Sequence, residues 1–195
     1  MDIPNSRSAH TIPTPKSGGV SIVATFIVGV LIIFFVADKA VIRQTYFYGF
    51  VFSALLIAAI SLYDDVKNKP FVVKLVTQFI AVGVVLASGL VIDKIAMPYL
   101  GFVTLGWLSY PVTFLWIIGL TNAFNFMDGL DGLAGGVAVI VSAFFCFVTF
   151  SQGSHFVYIA SYTVFSGALG FLVYNWAPAR VFMGDVGSAF LGFVF

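Results

Sequence analysis

The sequence predicts an all-α fold: a polytopic transmembrane helix bundle with about six complete spans and the start of a seventh. Composition is the first observation behind this. Of 195 residues, 61% are hydrophobic and 9% charged, whereas a soluble domain carries roughly 25% charged residues. The second is segmentation. Apolar runs occupy 20–36, 46–62, 71–86, 108–121, 133–150 and 156–176, close to the about 20 residues that a helix needs to cross a bilayer. The third is the placement of acids. Three short polar stretches, SLYDD (61–65), NAFNFMDGLDG (122–132) and FMGDVGS (182–188), hold five aspartates and are separated from one another by pairs of apolar runs. Parity therefore puts all three on one side of the membrane.

In chain order, a polar stretch precedes the first span and shows no short apolar core with a small-residue cleavage site, so no cleavable signal peptide is expected. The fourth run is the shortest, and 99–108 would extend it. The seventh begins near Ser188 and stops at Phe195; eight residues at about 1.5 Å each reach about 12 Å, short of a core about 30 Å thick. The chain thus reads as a fragment of a larger bundle. With six crossings, Arg7, Lys16, Lys67, Lys69, Lys74 and Arg180 share the side of the aspartates, against Lys39, Arg43 and Lys94 on the other. By the positive-inside bias this side is the cytoplasm. The opposite connections, 37–45, 88–106 and 151–155, are bland, and His155 reads as an ordinary loop histidine. Cys146 is a single cysteine in an apolar run and reads as packing. A net charge of +1 without a basic run points to no nucleic-acid partner.

Helix starts add to the picture. Pro70 precedes the third span, with Lys74 one turn in; Gly132 precedes the fifth; Gly187-Ser188 opens the seventh. Free N–H groups and the dipole make each N-terminus an anion site. Three such ends, a lysine and Asp64, Asp65, Asp128, Asp131 and Asp185 on one face suit a diphosphate bridged by a divalent cation. Oxygen-only ligands favour Mg²⁺, with Mn²⁺ as the alternative. Asn122, Asn125, Asp128 and Asp131 recur every third residue, so the asparagines can share a helix face, while Gly129 and Gly132 let the backbone turn. Taken singly, each of these residues also fits a capping or turn role. Asp64 and Asp65 would oppose the dipole if their helix runs into them, which suggests an external ligand; about 100° apart on a helix, each could serve a different partner. Asp185 between glycines also fits an N-cap.

These residues carry a resemblance. NAFNFMDGLDGLAGG (122–136), FMGDVGSAFLG (182–192), the Asp64-Asp65 pair and DIPNSRSAHTIPTPKSGG (2–19) resemble the polyprenyl-phosphate N-acetylhexosamine-1-phosphate transferases, also called glycosyltransferase family 4, along essentially the whole chain. The 2–19 wording is closer to the bacterial O-antigen and capsule initiators than to the phospho-MurNAc-pentapeptide branch. The resemblance implies a single integral membrane transferase domain over 1–195, truncated at both ends. The implied activity is transfer of a HexNAc-1-phosphate from a UDP-N-acetylhexosamine to undecaprenyl phosphate, releasing UMP and initiating a lipid-linked envelope glycan. It implies Mg²⁺, the bilayer of the bacterial cytoplasmic membrane with a cytoplasmic active site, and is compatible with a homodimer. By position, Asp185 matches the metal ligand, and Asp64 and Asp65 the catalytic pair that engages the lipid phosphate. Lys74 matches a basic active-site residue. Asn175, Phe182 and Asp131 match the uridine pocket, with Phe182 as the ring stacked on uracil. Asn122, Asn125 and Asp128 lie in the signature loop. A helix before 2–19 and a histidine-bearing loop beyond Phe195 belong to the family pattern, which leaves the activity of these 195 residues by themselves open.

Two other classes compete. An intramembrane prenyltransferase also uses Asp-rich loops and Mg²⁺, but its two clusters with acids spaced four apart are absent. A cation-coupled transporter, or a non-catalytic membrane protein of that kind, should place ionisable residues at mid-span; the spans above contain one, Lys74, near an end.

Overall fold

The computed structural model describes residues 14–36, 42–67, 70–99 and 101–195. Residues 2–13 of the N-terminal motif, and Arg7, Lys39 and Lys69 of the charge count, lie outside the described residues. The elements run α1 (Gly19–Val36), α2 (Gln44–Lys67), α3 (Phe71–Ser88), β1 (Lys94–Met97), β2 (Gly101–Thr104), a 3₁₀ turn (Gly106–Leu108), α4 (Ser109–Met127), α5 (Leu133–Gln152), α6 (His155–Asn175) and α7 (Gly184–Val194). The expected all-α polytopic bundle is what forms, with an antiparallel hairpin as its one addition among the described residues.

Five helices, α1, α2, α3, α5 and α6, are long and apolar enough to cross a membrane among the described residues, where the sequence suggested six. The difference is α4. Its 19 residues reach about 29 Å at about 1.5 Å each, long enough to cross, and it falls short of the other five only in apolarity, because its C-terminal turns hold Asn122 and Asn125, whose amides are turned to partners on α3 and α7. The stretch before it does not extend it; Gly101–Thr104 is a strand of the hairpin and Gly106–Leu108 the 3₁₀ turn. Three other boundaries differ usefully from expectation. The α2 helix runs through Asp64 and Asp65 to Lys67, His155 opens α6 instead of lying in a loop, and α7 starts at Gly184, ahead of Gly187-Ser188. Asp185 consequently sits in the first turn of a helix.

The α7 helix is the axis of the bundle. Nine of its eleven residues are buried, and it packs against α1, α2 and α4. Between transmembrane helices, apolar burial gives little drive because lipid is as apolar as leucine, so close backbone approach through small residues does the work. A Cβ on Gly192 would overlap the Leu120 carbonyl oxygen of α4, and one on Gly187 would overlap Met183 and lie against the Cα of Gly19 at the start of α1. Phe190 packs edge-on to Phe26 at 5.4 Å, and Phe193 stacks on Phe50 at 5.6 Å. Large apolar side chains that the core does not use, such as Ile32, Phe52, Ile80 and Phe147, are exposed on outer helix faces, where acyl chains meet them.

The close crossing of α4 and α7 makes a prediction. Gly192→Ala should lower the thermal midpoint of the detergent-solubilised protein, by an overpacking cost of about 1–3 kcal/mol. Gly119→Ala, where an added Cβ meets nothing within 4 Å, should leave it unchanged. Equal midpoints for the two variants would count against this crossing.

Candidate active site

The helix ends at one face of the bundle bring the predicted residues together. The last turn of α2 carries Asp64 and Asp65, and the first turn of α3 carries Lys74. The end of α4 carries Asn125, with Asp128 just past it, and the first turn of α7 carries Asp185. Lys74 Nζ bridges two carboxylates, 2.9 Å from Asp64 Oδ2 and 2.5 Å from Asp185 Oδ2. The other oxygen of Asp185 accepts from Asn125 Nδ2 at 2.9 Å, and the same amide reaches Ser188 Oγ at 3.1 Å. Asp185 is therefore held from two sides and does not act as a cap.

The caps come from elsewhere. Asp65 accepts the N–H of Asp185 on one oxygen at 3.1 Å and that of Val186 on the other at 3.0 Å. Asp128 accepts from the N–H groups of Met183 and Gly184. The amides that start α7 are thus already paired with carboxylates of the protein, which corrects the expectation that this end is free for an external anion. It also answers the question of Asp64 and Asp65 opposing the α2 dipole. Asp65 faces the positive end of α7, Asp64 faces Lys74, and each serves a different partner. Gly184 has φ 73°, and a Cβ there would overlap the Lys16 carbonyl oxygen and lie 2.9 Å from Asp65 Oδ2, so only glycine fits. Burial pushes the Asp128 carboxyl up to about 6, and the charges of Asp185 and Asp65 add to this against its two backbone hydrogen bonds.

A second cluster lies behind the first. Gly132, with φ 72° at the start of α5, donates its N–H to Asn175 Oδ1 at 3.0 Å, and Asn175 Nδ2 donates to the Val181 carbonyl at 2.9 Å. Asp131 Oδ2 accepts from the Ala179 N–H at 3.0 Å, while its buried Oδ1 has no hydrogen-bond partner in the structure. Phe182 is 3% exposed, and its backbone pairs with residues 15 and 18, the N–H to the Pro15 carbonyl at 2.8 Å and the carbonyl from the Gly18 N–H at 3.0 Å. Its ring presents no open face to a base in this arrangement. Asn175, Asp131 and Phe182 here latch the 128–132 and 176–183 connections together. Gly129 has no positive φ; of the two glycines, Gly132 makes the turn.

Asn122 parts company with Asn125. Its amide donates to Gln78 Oε1 at 2.9 Å and to the Ile118 carbonyl at 2.8 Å. Gln78, 7% exposed, was not singled out from sequence. The available signal was its place four residues after Lys74, one turn deeper on the same face. In the sequence Lys16 counts only as a charge; its ammonium acts electrostatically on Asp65.

No group of three or more His, Cys, Asp or Glu side chains is arranged to hold a metal among the described residues. The donor chemistry nonetheless fits Mg²⁺, which takes one or two carboxylates and completes its shell with water and phosphate oxygens. Asp64 and Asp185 converge on a single point of positive charge, now the Lys74 ammonium, and four carboxylates crowd this end of the bundle.

Residues 47–195 match the family model described as glycosyl transferase family 4, and the chain belongs to that family. It is 36% identical over 194 residues to a probable undecaprenyl-phosphate N-acetylglucosaminyl 1-phosphate transferase of Bacillus subtilis, covering 99% of this chain and 52% of the relative. It is 35% identical over 200 residues to a phospho-N-acetylmuramoyl-pentapeptide-transferase of Chlamydia muridarum, covering 91% of this chain and 58% of the relative. Another enzyme of that name, from Acetivibrio thermocellus, is 47% identical over 104 residues, covering 51% of this chain and 32% of the relative. The chain spans about half the length of the first two.

Two predictions follow from the capping geometry. Asp65→Ala should destabilise the protein by about 0.5–2 kcal/mol, the usual cost of a lost cap, and Asp65→Asn should recover part of it by keeping one acceptor; thermal midpoints in detergent measure both. For Asp128, the raised carboxyl binds a proton in the folded protein that the unfolded chain, at the ordinary value of 3.8, still lacks. Its stabilising contribution is therefore full below about 4 and lost as pH rises through about 6. In magnesium-free buffer the wild type should gain stability relative to Asp128→Asn as pH falls across that window, and a constant difference would be the contrary result.

Proposed function

We propose that the protein transfers a sugar-1-phosphate from a UDP-N-acetylhexosamine to undecaprenyl phosphate, releasing UMP, at the cytoplasmic face of a bacterial inner membrane. Support comes from the family membership, from the functions that the relatives' names carry and, above all, from one observation: Lys74 bridging Asp64 and Asp185 where helix ends meet. Ionisable side chains lie at the ends of α2 and α3, which suits chemistry at the water–lipid boundary better than transport through mid-span.

In the proposed reaction, an oxygen of the lipid phosphate attacks the sugar-bearing phosphorus of the donor. A new P–O bond forms, the bond to the bridging oxygen breaks, and that oxygen leaves with UMP. A phosphate monoester has its second pKa near about 6 and is mostly dianionic at neutral pH, so its nucleophilicity needs little help. The obstacle is repulsion between two anions, and fixed positive charge answers it. Lys74, oriented by Asp64 and Asp185, supplies such a charge without reorganisation. Asn125 holds Asp185 in register, and Asp65 and Asp128 hold the start of α7. Of the adjacent aspartates, Asp64 is the better placed to take a residual proton from the lipid phosphate, since Asp65 is committed to backbone amides. Mg²⁺, when bound by Asp185 with Asp64, would neutralise the donor diphosphate. We assign Asp131 and Asn175 to shaping the nucleotide side through the 176–183 connection.

Asp185→Asn preserves shape but removes the charge. In the protein expressed from its complete gene, it should lower UMP release from UDP-GlcNAc and undecaprenyl phosphate by orders of magnitude while the protein remains folded and inserted. Near-wild-type turnover with an unshifted Mg²⁺ requirement would reject this assignment. Parallel assays with other UDP-HexNAc donors identify the sugar.

A further inference from the structure

The connection between α3 and α4 leaves more apolar surface uncovered than the rest of the chain explains. In the hairpin, Lys94 pairs with Thr104, Ile95 with Val103, Ala96 with Phe102 and Met97 with Gly101. Side chains alternate across a strand, so Ile95 and Val103 share one face and are half-buried, whereas Phe102 lies on the other face and is 78% exposed. Tyr99 at the turn is fully exposed, and Trp107 of the 3₁₀ turn is 78% exposed. A two-stranded hairpin with its aromatic rings in water is marginal at best.

The α4 helix supplies the depth. Beside the exposed Tyr110 and Trp116, Phe126, Ala123, Gly119, Leu115 and Pro111 form an exposed stripe at three- and four-residue spacing that continues to Leu108 of the 3₁₀ turn. That stripe is apolar, and it runs directly into Trp107. From Met127 back to Trp107 the chain is helical throughout, and these 21 residues at about 1.5 Å each make about 31 Å, the thickness of a hydrocarbon core at about 30 Å. With Asp128 held at one water boundary, Trp107 falls on the other. Tyrosine and tryptophan favour that level, and a lysine beside them reaches the headgroups; Lys94 lies on the same face as Phe102.

We propose that the hairpin and the 3₁₀ turn form a membrane-interface anchor, seating Tyr99, Phe102 and Trp107 in the headgroup–acyl boundary of the leaflet opposite the aspartate cluster. The partner is a phospholipid surface, and the anchor fixes the depth of α4. This assignment is independent of the reaction proposed above.

The test uses the full chain in phospholipid nanodiscs, with Trp116→Phe and Trp176→Phe leaving Trp107 as the fluorophore. The expected result is blue-shifted emission, a larger loss of intensity with phosphatidylcholine brominated near the headgroup than with lipid brominated near the chain end, and little quenching by aqueous iodide. Phe102→Cys carrying an environment-sensitive dye, in a Cys146→Ser background, gives the same readout with both other tryptophans in place. Red-shifted emission quenched by iodide would place the segment in water and overturn the proposal. Blue-shifted emission that no brominated lipid quenches would mean a protein surface covers it, a second copy included, and would overturn it equally.

Discussion

A helix that begins inside a bundle brings its unpaired amides with it, and hydrocarbon offers nothing to pair them with. The start of α7 is such a case, with Met183, Gly184 and Val186 all buried. The protein meets the requirement with two carboxylates from different helices, Asp65 at the end of α2 and Asp128 just past α4. Their charge complements the positive end of the helix dipole. The geometry of the whole site depends on this. Once Asp65 and Asp128 hold the amides of residues 183–186, Asp185 must emerge in the first turn, next to Lys74 on α3 and Asn125 on α4. The backbone of residues 15–19 pairs with Phe182 and Met183, closing the third side.

This arrangement gathers Asp64, Asp65, Asp128 and Asp185 in one place, at an electrostatic cost that Lys74 and Lys16 only partly offset. Burial and neighbouring charge raise the Asp128 carboxyl well into the physiological margin, as expected where like charges are held together. A fold seeking stability alone would avoid such a cluster, and local conflicts of this kind concentrate at functional sites. In the reaction proposed above, a divalent cation and the ammonium of Lys74 would offset that negative charge. The polar pair Gln78–Asn122, one turn deeper, continues the polar path between α3 and α4 and ties the two helices that carry Lys74 and Asn125.

Much of this was legible from the chain. Parity of apolar runs is enough to bring the three aspartate stretches to one side, because a span has a fixed minimum length. The separate roles of Asp64 and Asp65 were foreseeable from helix geometry. Other features were not legible, for definite reasons. The fourth apolar run stops at residue 121 because polar residues follow it, whereas α4 continues to Met127 with the Asn122 and Asn125 amides turned toward partners on α3 and α7. In the sequence Gly187-Ser188 resembles the start of α7, because a glycine before a helix resembles a break; Gly184 is the true break, made necessary by contact with Lys16 and Asp65. The α3–α4 hairpin carried no alternating pattern strong enough to stand out in a stretch containing Pro98 and several glycines.

By itself, the sequence determined the class: a polytopic helical bundle with its acids at one membrane face, since hydropathy and span length are local properties of the chain. It also determined which residue types were available there, and hence a chemistry of oxygen ligands and one central ammonium. Only the tertiary structure decided how those residues are used. Asp65 and Asp128 serve the amides of α7, Asp64 and Asp185 share Lys74, Phe182 is buried against residues 15 and 18, and Asn175 joins two loops. Each of these depends on which helix ends meet. That is set by close packing around the small residues of α7, among atoms more than a hundred positions apart in the chain for the bonds that join Asp65 and Lys74 to Asp185.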